Sequence, residues 1–187
     1  GVGTFTVTLD GSGAGSATAA DLEATSADNC GVSLSANQTS FSCADLGVVS
    51  VLVTATDPSG NEASDVVAVT VQDTTAPSVS AVGDFGVSLN GTGKYALTVN
   101  ATRASSADNC AVTAERLNVT LVSCGDAGTA VAVLVTVEDA SGNEASDVVV
   151  VSVSDDELPT VSGVGTFTVT LDGSGAGSAT AADLEAT

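Results

Sequence analysis

"VVSVLVTATDPSGNEASDVVAVTVQ", residues Val48 to Gln72, holds two rows of alternating side chains on either side of a turn. Val49, Val51, Val53 and Ala55 recur at every second position and the row ends at Asp57; "DPSGN" turns the chain; Val67, Val69 and Val71 form the returning row. A period of two belongs to a strand with one buried face, because successive side chains leave a pleated backbone on opposite sides. Valine at nearly every inward position adds the β-branched preference for that backbone. The stretch therefore predicts an antiparallel hairpin.

The same pattern returns downstream, with Val131, Val133, Val135 and Val137, the turn "DASGN", then Val149, Val151 and Val153. Ahead of each hairpin lies a shorter alternating row, Phe5, Val7 and Leu9 in one case and Phe85, Val87 and Leu89 in the other. Helical spacing competes only at "ATAADLEA", Ala17 to Ala24, which reads as one short turn. Short strands separated by turn signals about every 8 to 12 residues predict an all-β chain of tandem immunoglobulin-like β-sandwiches.

Internal repetition sets the module size. "SADNC" at Ser26–Cys30 returns at Ser106–Cys110, an offset of 80, and "SGNEASDVV" at Ser59–Val67 returns at Ser141–Val149, an offset of 82. The first 25 residues recur without change from Gly163 to Thr187, an offset of 162. Two modules of about 80 residues thus make one larger period, and the chain reads as a window on a longer periodic polypeptide of beads that fold singly. Pro77 in "DTTAP" and Pro159 in "DDELP" follow the last strand of each module, where a stiff extended link belongs. The borders are accordingly a first module at 1–75, a complete second module at 76–157, and the opening strands of a third at 158–187.

Composition narrows the partners. With 23 acidic and 3 basic residues, net charge −20 and no His, Met or Trp, the surface repels nucleic acid and anionic membrane faces and favours cations. Positive mean hydropathy and only 14% charged residues argue for a folded chain. The longest apolar run, Thr129–Val137, is about half a membrane span and no leader segment is legible. With no His and Lys94 as the sole lysine, nucleophilic and general-base constellations have almost no material. A carboxylate pair for glycoside hydrolysis would lack a cleft and aromatic platforms, since Tyr95 is the sole tyrosine. The reading is non-enzymatic.

Four cysteines fall as two in each module, Cys30 with Cys43 and Cys110 with Cys124. Neither spacing is CxxC and no His is present, so zinc and thioredoxin-like readings are poor. One disulfide inside each module is the expectation, closing a loop of about 14 residues for roughly 3 kcal/mol in the chain-entropy model. The alternative is two buried free thiols per module. Disulfides imply an oxidising compartment, outside the cell or exported.

"LDGSGAGSATAADLEATSADNCGVSLSANQTSFSCADLGVVSVLVTATDPSGNEASDVVAVTVQDTTAP" resembles the hyalin-type (HYR-like) repeats, immunoglobulin-like modules of very large secreted and cell-surface proteins. The distinctive parts are the "DNC" to "SC" segment, the "TD..GN" turn and the terminal "D.TAP". The resemblance spans both modules and implies an adhesive or structural array.

Acidic residues that recur in both modules are the candidate ligands: Asp28 with Asp108, Asp57 with Asp139, Asn61 with Asn143, and Asp73 with Asp155. In an immunoglobulin-like sandwich the last hairpin turn and the loop after the second strand share a pole with the incoming linker. Asp108, Asp139 and Asn143 should therefore gather around Asp73, a hard-oxygen set of the kind Ca²⁺ prefers. Asp155 would serve the following junction, and Asp28, Asp57 and Asn61 a preceding one. The competing reading is plain turn chemistry, with Asp capping and Gly turning the chain. Asp21 and Glu23 fall opposite Ala101 and Arg103, so the two kinds of module differ near this pole. Sequons at Asn37, Asn90, Asn100 and Asn118 are candidate glycosylation sites, Asn37 and Asn90 foremost because they sit at turns.

The functional reading is a structural repeat of a long extracellular filament or cell-surface stalk or adhesin. It is clipped by intramodule disulfides, stiffened by Ca²⁺ at junctions, and partnered by neighbouring copies of itself. Two alternatives stand beside it: an adhesive module gripping a glycan or a host or matrix protein, and a spacer within a secreted enzyme.

Overall fold

The computed structural model describes residues 4–23, 25–163 and 165–184. The first module runs β1 (Thr4–Thr8), β2 (Ala14–Ser16), α1 (Ala19–Leu22), β3 (Ser33–Ala36), β4 (Ser40–Ser42), β5 (Gly47–Thr56) and β6 (Glu62–Gln72). The second runs β7 (Ser78–Ala81), β8 (Phe85–Ser88), β9 (Lys94–Ala96), α2 (Val99–Thr102), β10 (Arg103–Ala107), β11 (Val112–Leu117), β12 (Leu121–Ser123), β13 (Ala130–Asp139) and β14 (Glu144–Ser154).

Each module builds a four-stranded sheet, β1-β6-β5-β3 in the first and β8-β14-β13-β11 in the second. The predicted hairpins are its centre: Val51 pairs Val67 across β5 and β6, and Val133 pairs Val149 across β13 and β14. The opening strand of each module lies parallel to the last, Phe5 opposite Val69 and Phe85 opposite Val151. A two-stranded sheet, β2 with β4 or β9 with β12, completes each sandwich. The inward rows are buried as the alternation demands: Val51, Val69, Val133, Val135, Val149 and Val151 all have 0% exposure. Two separate cores result, one drawing on Val7, Phe41 and Val69 and the other on Val87, Val122 and Val151.

The short turn expected near Ala17–Ala24 is α1, capped by a reciprocal pair in which Asp21 Oδ2 accepts from Thr18 N at 2.8 Å and Thr18 Oγ1 accepts from Asp21 N at 3.3 Å. Asp21 is thereby committed to helix capping.

In the second module β7 pairs with β10 and lies against β13 and β14. The positions that match β7 in the first module fall ahead of the described residues, and there Leu22, Ser26, Val53 and Val67 line a cavity of about 400 Å³. The strand expected at the start of the third module is not formed, and Phe167, Val169 and Leu171 are 44%, 41% and 61% exposed. The reason lies in the pairing: the identical residues of β1 are held by β6, and no described strand offers 166–171 such a partner. No helix among the described residues is long and apolar enough to cross a membrane.

Candidate metal centre at the module junction

The linker leaves β6 at Asp73, and the pole of the second module closes over it. Asp73 is only 4% exposed; its Oδ1 accepts from Thr75 N at 2.9 Å, an Asx turn that starts the extended run to Pro77. Asp108, in the loop between β10 and β11, uses Oδ2 to accept from Cys110 N at 2.8 Å. Asp139, the last residue of β13, is 2% exposed and holds the hairpin turn: Oδ1 accepts from Ser141 N at 2.8 Å and Asn143 N at 2.9 Å, and Oδ2 from Asn143 Nδ2 at 2.8 Å. Burial pushes the Asp139 carboxyl up, but the hydrogen bonds from the Asn143 side chain, Asn143 N and Ser141 N outweigh it, so the net displacement is downward. It therefore stays charged in a nearly closed site.

Oxygens of Asp73, Asp108 and Asp139 lie within 4.8 Å of one another. At that separation and an effective dielectric of about 20, each pair of like charges repels by roughly 3 kcal/mol. The ion pairs among the described residues lie elsewhere, Arg103 with Glu115 and Arg116 with Glu138 and Glu144, so no basic side chain offsets the cluster. Asp73 Oδ2, Asp108 Oδ1 and Asn109 Oδ1 are buried without a hydrogen-bond partner. Three carboxylates, two of which keep an oxygen with unused lone pairs, form a donor set that fits a hard divalent cation.

Two asparagines knit the junction. Asn143 Nδ2 donates across it to the Asp73 carbonyl at 3.2 Å and the Thr75 carbonyl at 3.4 Å. This corrects the expectation for Asn143, which turns its amide nitrogen to the cluster and acts as a strut. Asn109 likewise turns its amide nitrogen inward, Nδ2 donating to the Asp10 carbonyl at 3.0 Å and to Asp73 Oδ1 at 3.1 Å, and is a second strut between the modules. Asn109 lies beside Asp108 in "ADNC", and its place in that repeat was the signal for it.

The cysteine pairing inside modules is overturned. The disulfide joins Cys43 of the first module to Cys110 of the second, with Cα atoms 5.2 Å apart, while Cys30 and Cys124 are free and exposed. Cys43 begins a single 3-10 turn after β4 at the exit pole, whereas the "DNC" loops sit at the entry pole of each module. The 14-residue spacing thus runs along the length of a sandwich, and the contact available to Cys43 is the next module's loop. Gly13, with φ +76°, makes room for it, since a Cβ there would stand 2.6 Å from Cys43 Sγ and 2.9 Å from the Asn109 carbonyl oxygen.

The remaining candidates have the same local geometry without a partner module. Asp28 Oδ2 accepts from Cys30 N at 2.7 Å; Asp57 Oδ1 accepts from Ser59 N and Asn61 N, both at 2.8 Å, and Oδ2 from Asn61 Nδ2 at 2.7 Å. Asp155 Oδ1 accepts from Glu157 N at 3.2 Å. Asn37, Asn90, Asn100 and Asn118 are all exposed. Asn37 and Asn118 spend only Oδ1 on the chain, accepting from Leu52 N and Leu134 N.

No family model matches the chain, and no curated protein matches it. Solved structures similar to it include the fibronectin(III)-like modules of Clostridium thermocellum CbhA, at 13% identity over 85% of this chain and 94% of that one, TM-score 0.35. Human protocadherin-24 EC1-2 aligns at 13% identity over 83% of this chain and 96% of that one, TM-score 0.39. Drosophila N-cadherin EC1-4 aligns at 18% identity over 57% and 31%, TM-score 0.31. At these values the likenesses carry no argument about what this chain binds or does.

Proposed function

We propose that this chain is a structural repeat of a long extracellular filament or cell-surface stalk or adhesin, whose beads are held end to end by a cation at each junction. The observation that carries this reading is the convergence of Asp73, Asp108 and Asp139, contributed by a linker and by the module that follows it, within 4.8 Å. Ca²⁺ suits the site because it takes six to eight oxygens without a strict geometry. Asp73, Asp108 and Asp139 would hold it, with backbone carbonyls and water completing the shell, and bridging two modules turns a jointed linker into a rigid one. Stiffness along the array is the function this supports, letting a surface protein project a distant end. The exact 25-residue repetition, the hyalin-type motifs and an exposed sequon surface fit the same role. A disulfide between the modules supports an oxidising compartment for it.

Calorimetric titration of the chelator-treated chain with Ca²⁺ tests this, with thermal melting and small-angle scattering in parallel. One strong site is expected, with Mg²⁺ much weaker. At a Ca²⁺ concentration about 100 times Kd the gain is about 2.7 kcal/mol, or roughly 5–10 °C for a chain of this size. Asp73→Asn with Asp139→Asn should abolish both the heat and the shift. No binding, and scattering unchanged by chelator, would leave these acids as turn residues and end the cation reading.

A further inference from the structure

The two free cysteines occupy the same places in their modules as the two that are bonded. Cys124 follows β12 as Cys43 follows β4, each opening a 3-10 turn, and its Sγ lies 3.5 Å from the Gly93 carbonyl as that of Cys43 lies 3.7 Å from the Gly13 carbonyl. Gly93 repeats Gly13 in detail: φ is +70°, and a Cβ there would stand 2.4 Å from Cys124 Sγ. Cys30 matches Cys110, each donating its backbone N–H to the aspartate two residues earlier, at 2.7 and 2.8 Å.

What differs is burial. Asp108, Asn109 and Cys110 are half-buried where Asp28, Asn29 and Cys30 are exposed; Asp73 and Gly13 are buried where Asp155 is exposed and Gly93 half-buried. The second set has the form of the first set with the neighbouring module removed. A "DNC" loop seated on Gly93 would place its cysteine at Cys124, as the loop seated on Gly13 places Cys110 at Cys43.

We infer that Cys124 and Cys30 are the two open halves of the same staple. Cys124 pairs with the "DNC" cysteine of a following module of the first kind, and Cys30 with the "SC" cysteine of a preceding module of the second kind. Each junction of the array is then closed by a covalent bond between modules beside its acidic cluster, Asp155, Asp28 and Asp57 taking the parts of Asp73, Asp108 and Asp139. The inference rests on the head-to-tail array proposed above but not on the cation. Bond formation uses a disulfide oxidant such as glutathione disulfide. The Cys124 thiolate attacks it and releases one glutathione thiolate. The incoming module's cysteine thiolate then attacks Cys124 Sγ and releases the second. Two protein thiols are oxidised, one glutathione disulfide is reduced to two thiols, and the two protons that leave the protein thiols end, through solvent, on the released glutathione thiolates.

The test extends the chain after Thr187 by a copy of residues 26–75, completing the third module, and adds Cys30→Ser so that a single peptide carries the free "DNC" cysteine. After folding in a glutathione buffer, alkylation and non-reducing peptide mapping should find Cys43 with Cys110, Cys124 with the third module's "DNC" cysteine, and one alkylated thiol. Cys124 fully alkylated, or joined to Cys110, overturns the inference, and so does Gly93→Ala leaving the new link at full yield. The unaltered 187-residue chain gives an independent reading. Oxidised at high concentration, it should form Cys124–Cys30 links at least about tenfold over symmetric pairs, whereas thiol exchange without docking gives a statistical mixture. Calcium titration of the same proteins reports separately on the cation, so loss of one result does not remove the other.

Discussion

Replacing Gly13 by alanine tests the junction at the point where two modules come closest. The new Cβ meets Cys43 Sγ at 2.6 Å and the Asn109 carbonyl oxygen at 2.9 Å. The sulfur is tied into a disulfide and the oxygen is backbone, so neither can swing aside as a flexible side-chain end would. Gly13 also carries φ +76°, which costs an L-residue about 1–2 kcal/mol wherever it occurs. Gly31 separates the two contributions, because its φ is +92° and a Cβ there meets nothing within 4 Å. Gly31→Ala should therefore lose only the conformational part, while Gly13→Ala adds about 1–3 kcal/mol of overpacking. The assay is urea unfolding followed by far-UV circular dichroism, paired with the rate at which dithiothreitol reduces the Cys43–Cys110 bond. Gly13→Ala should be the less stable of the two variants and its disulfide the faster to be reduced. Equal stability and equal reduction rates would mean that the second module does not seat on Gly13, and the junction would have to be rebuilt.

Four further outcomes follow from the fold. Ala111, at φ +93°, is the one non-glycine among the described residues in the left-handed region, and glycine stands at the matching Gly31; Ala111→Gly should stabilise by roughly 0.5–1 kcal/mol in the same denaturation experiment. Val135→Ala, at 0% exposure, should cost about 2–3 kcal/mol through lost burial and a cavity. Val148→Ala, at 51% exposure, should stay within about 0.5 kcal/mol. Asp147 accepts from Ala81 N and Val148 N, both at 2.8 Å, and these bonds, Ala81 first, hold its carboxyl below the usual 3.8. A carboxyl depressed in the folded state contributes in full above 3.8 and loses that contribution as pH falls through its folded value. Asp147→Asn should thus flatten the acid limb of melting temperature against pH below about 4 and change its slope little near pH 7.

How far the site was legible depended on whether its geometry is local. The Asx turns at Asp28, Asp57, Asp108 and Asp139 are spelled by neighbours in sequence, and the structure forms each of them. Cys110 was nearer to being placed than its assignment shows. It shares a turn with Asp108, so a loop that carries one to the junction carries the other. Pairing cysteines by spacing set that constraint aside. Asn109 was hidden for a different reason: it acts as a strut only because Asp10 and Asp73, distant in sequence, are both placed within reach of its Nδ2.

By itself the sequence determined the strands, their buried faces, the hairpin turns and the repeat, because side-chain alternation and turn chemistry act over a few residues and need no partner. Tertiary structure alone decided which cysteines meet and which acids converge. Thr4–Thr8 is held by β6, some 60 residues later in the chain. Cys43 reaches Cys110 across a separation of 67 because the poles of two sandwiches abut there. Each of these outcomes requires a surface assembled from distant segments, and a local pattern cannot encode which surface will arrive.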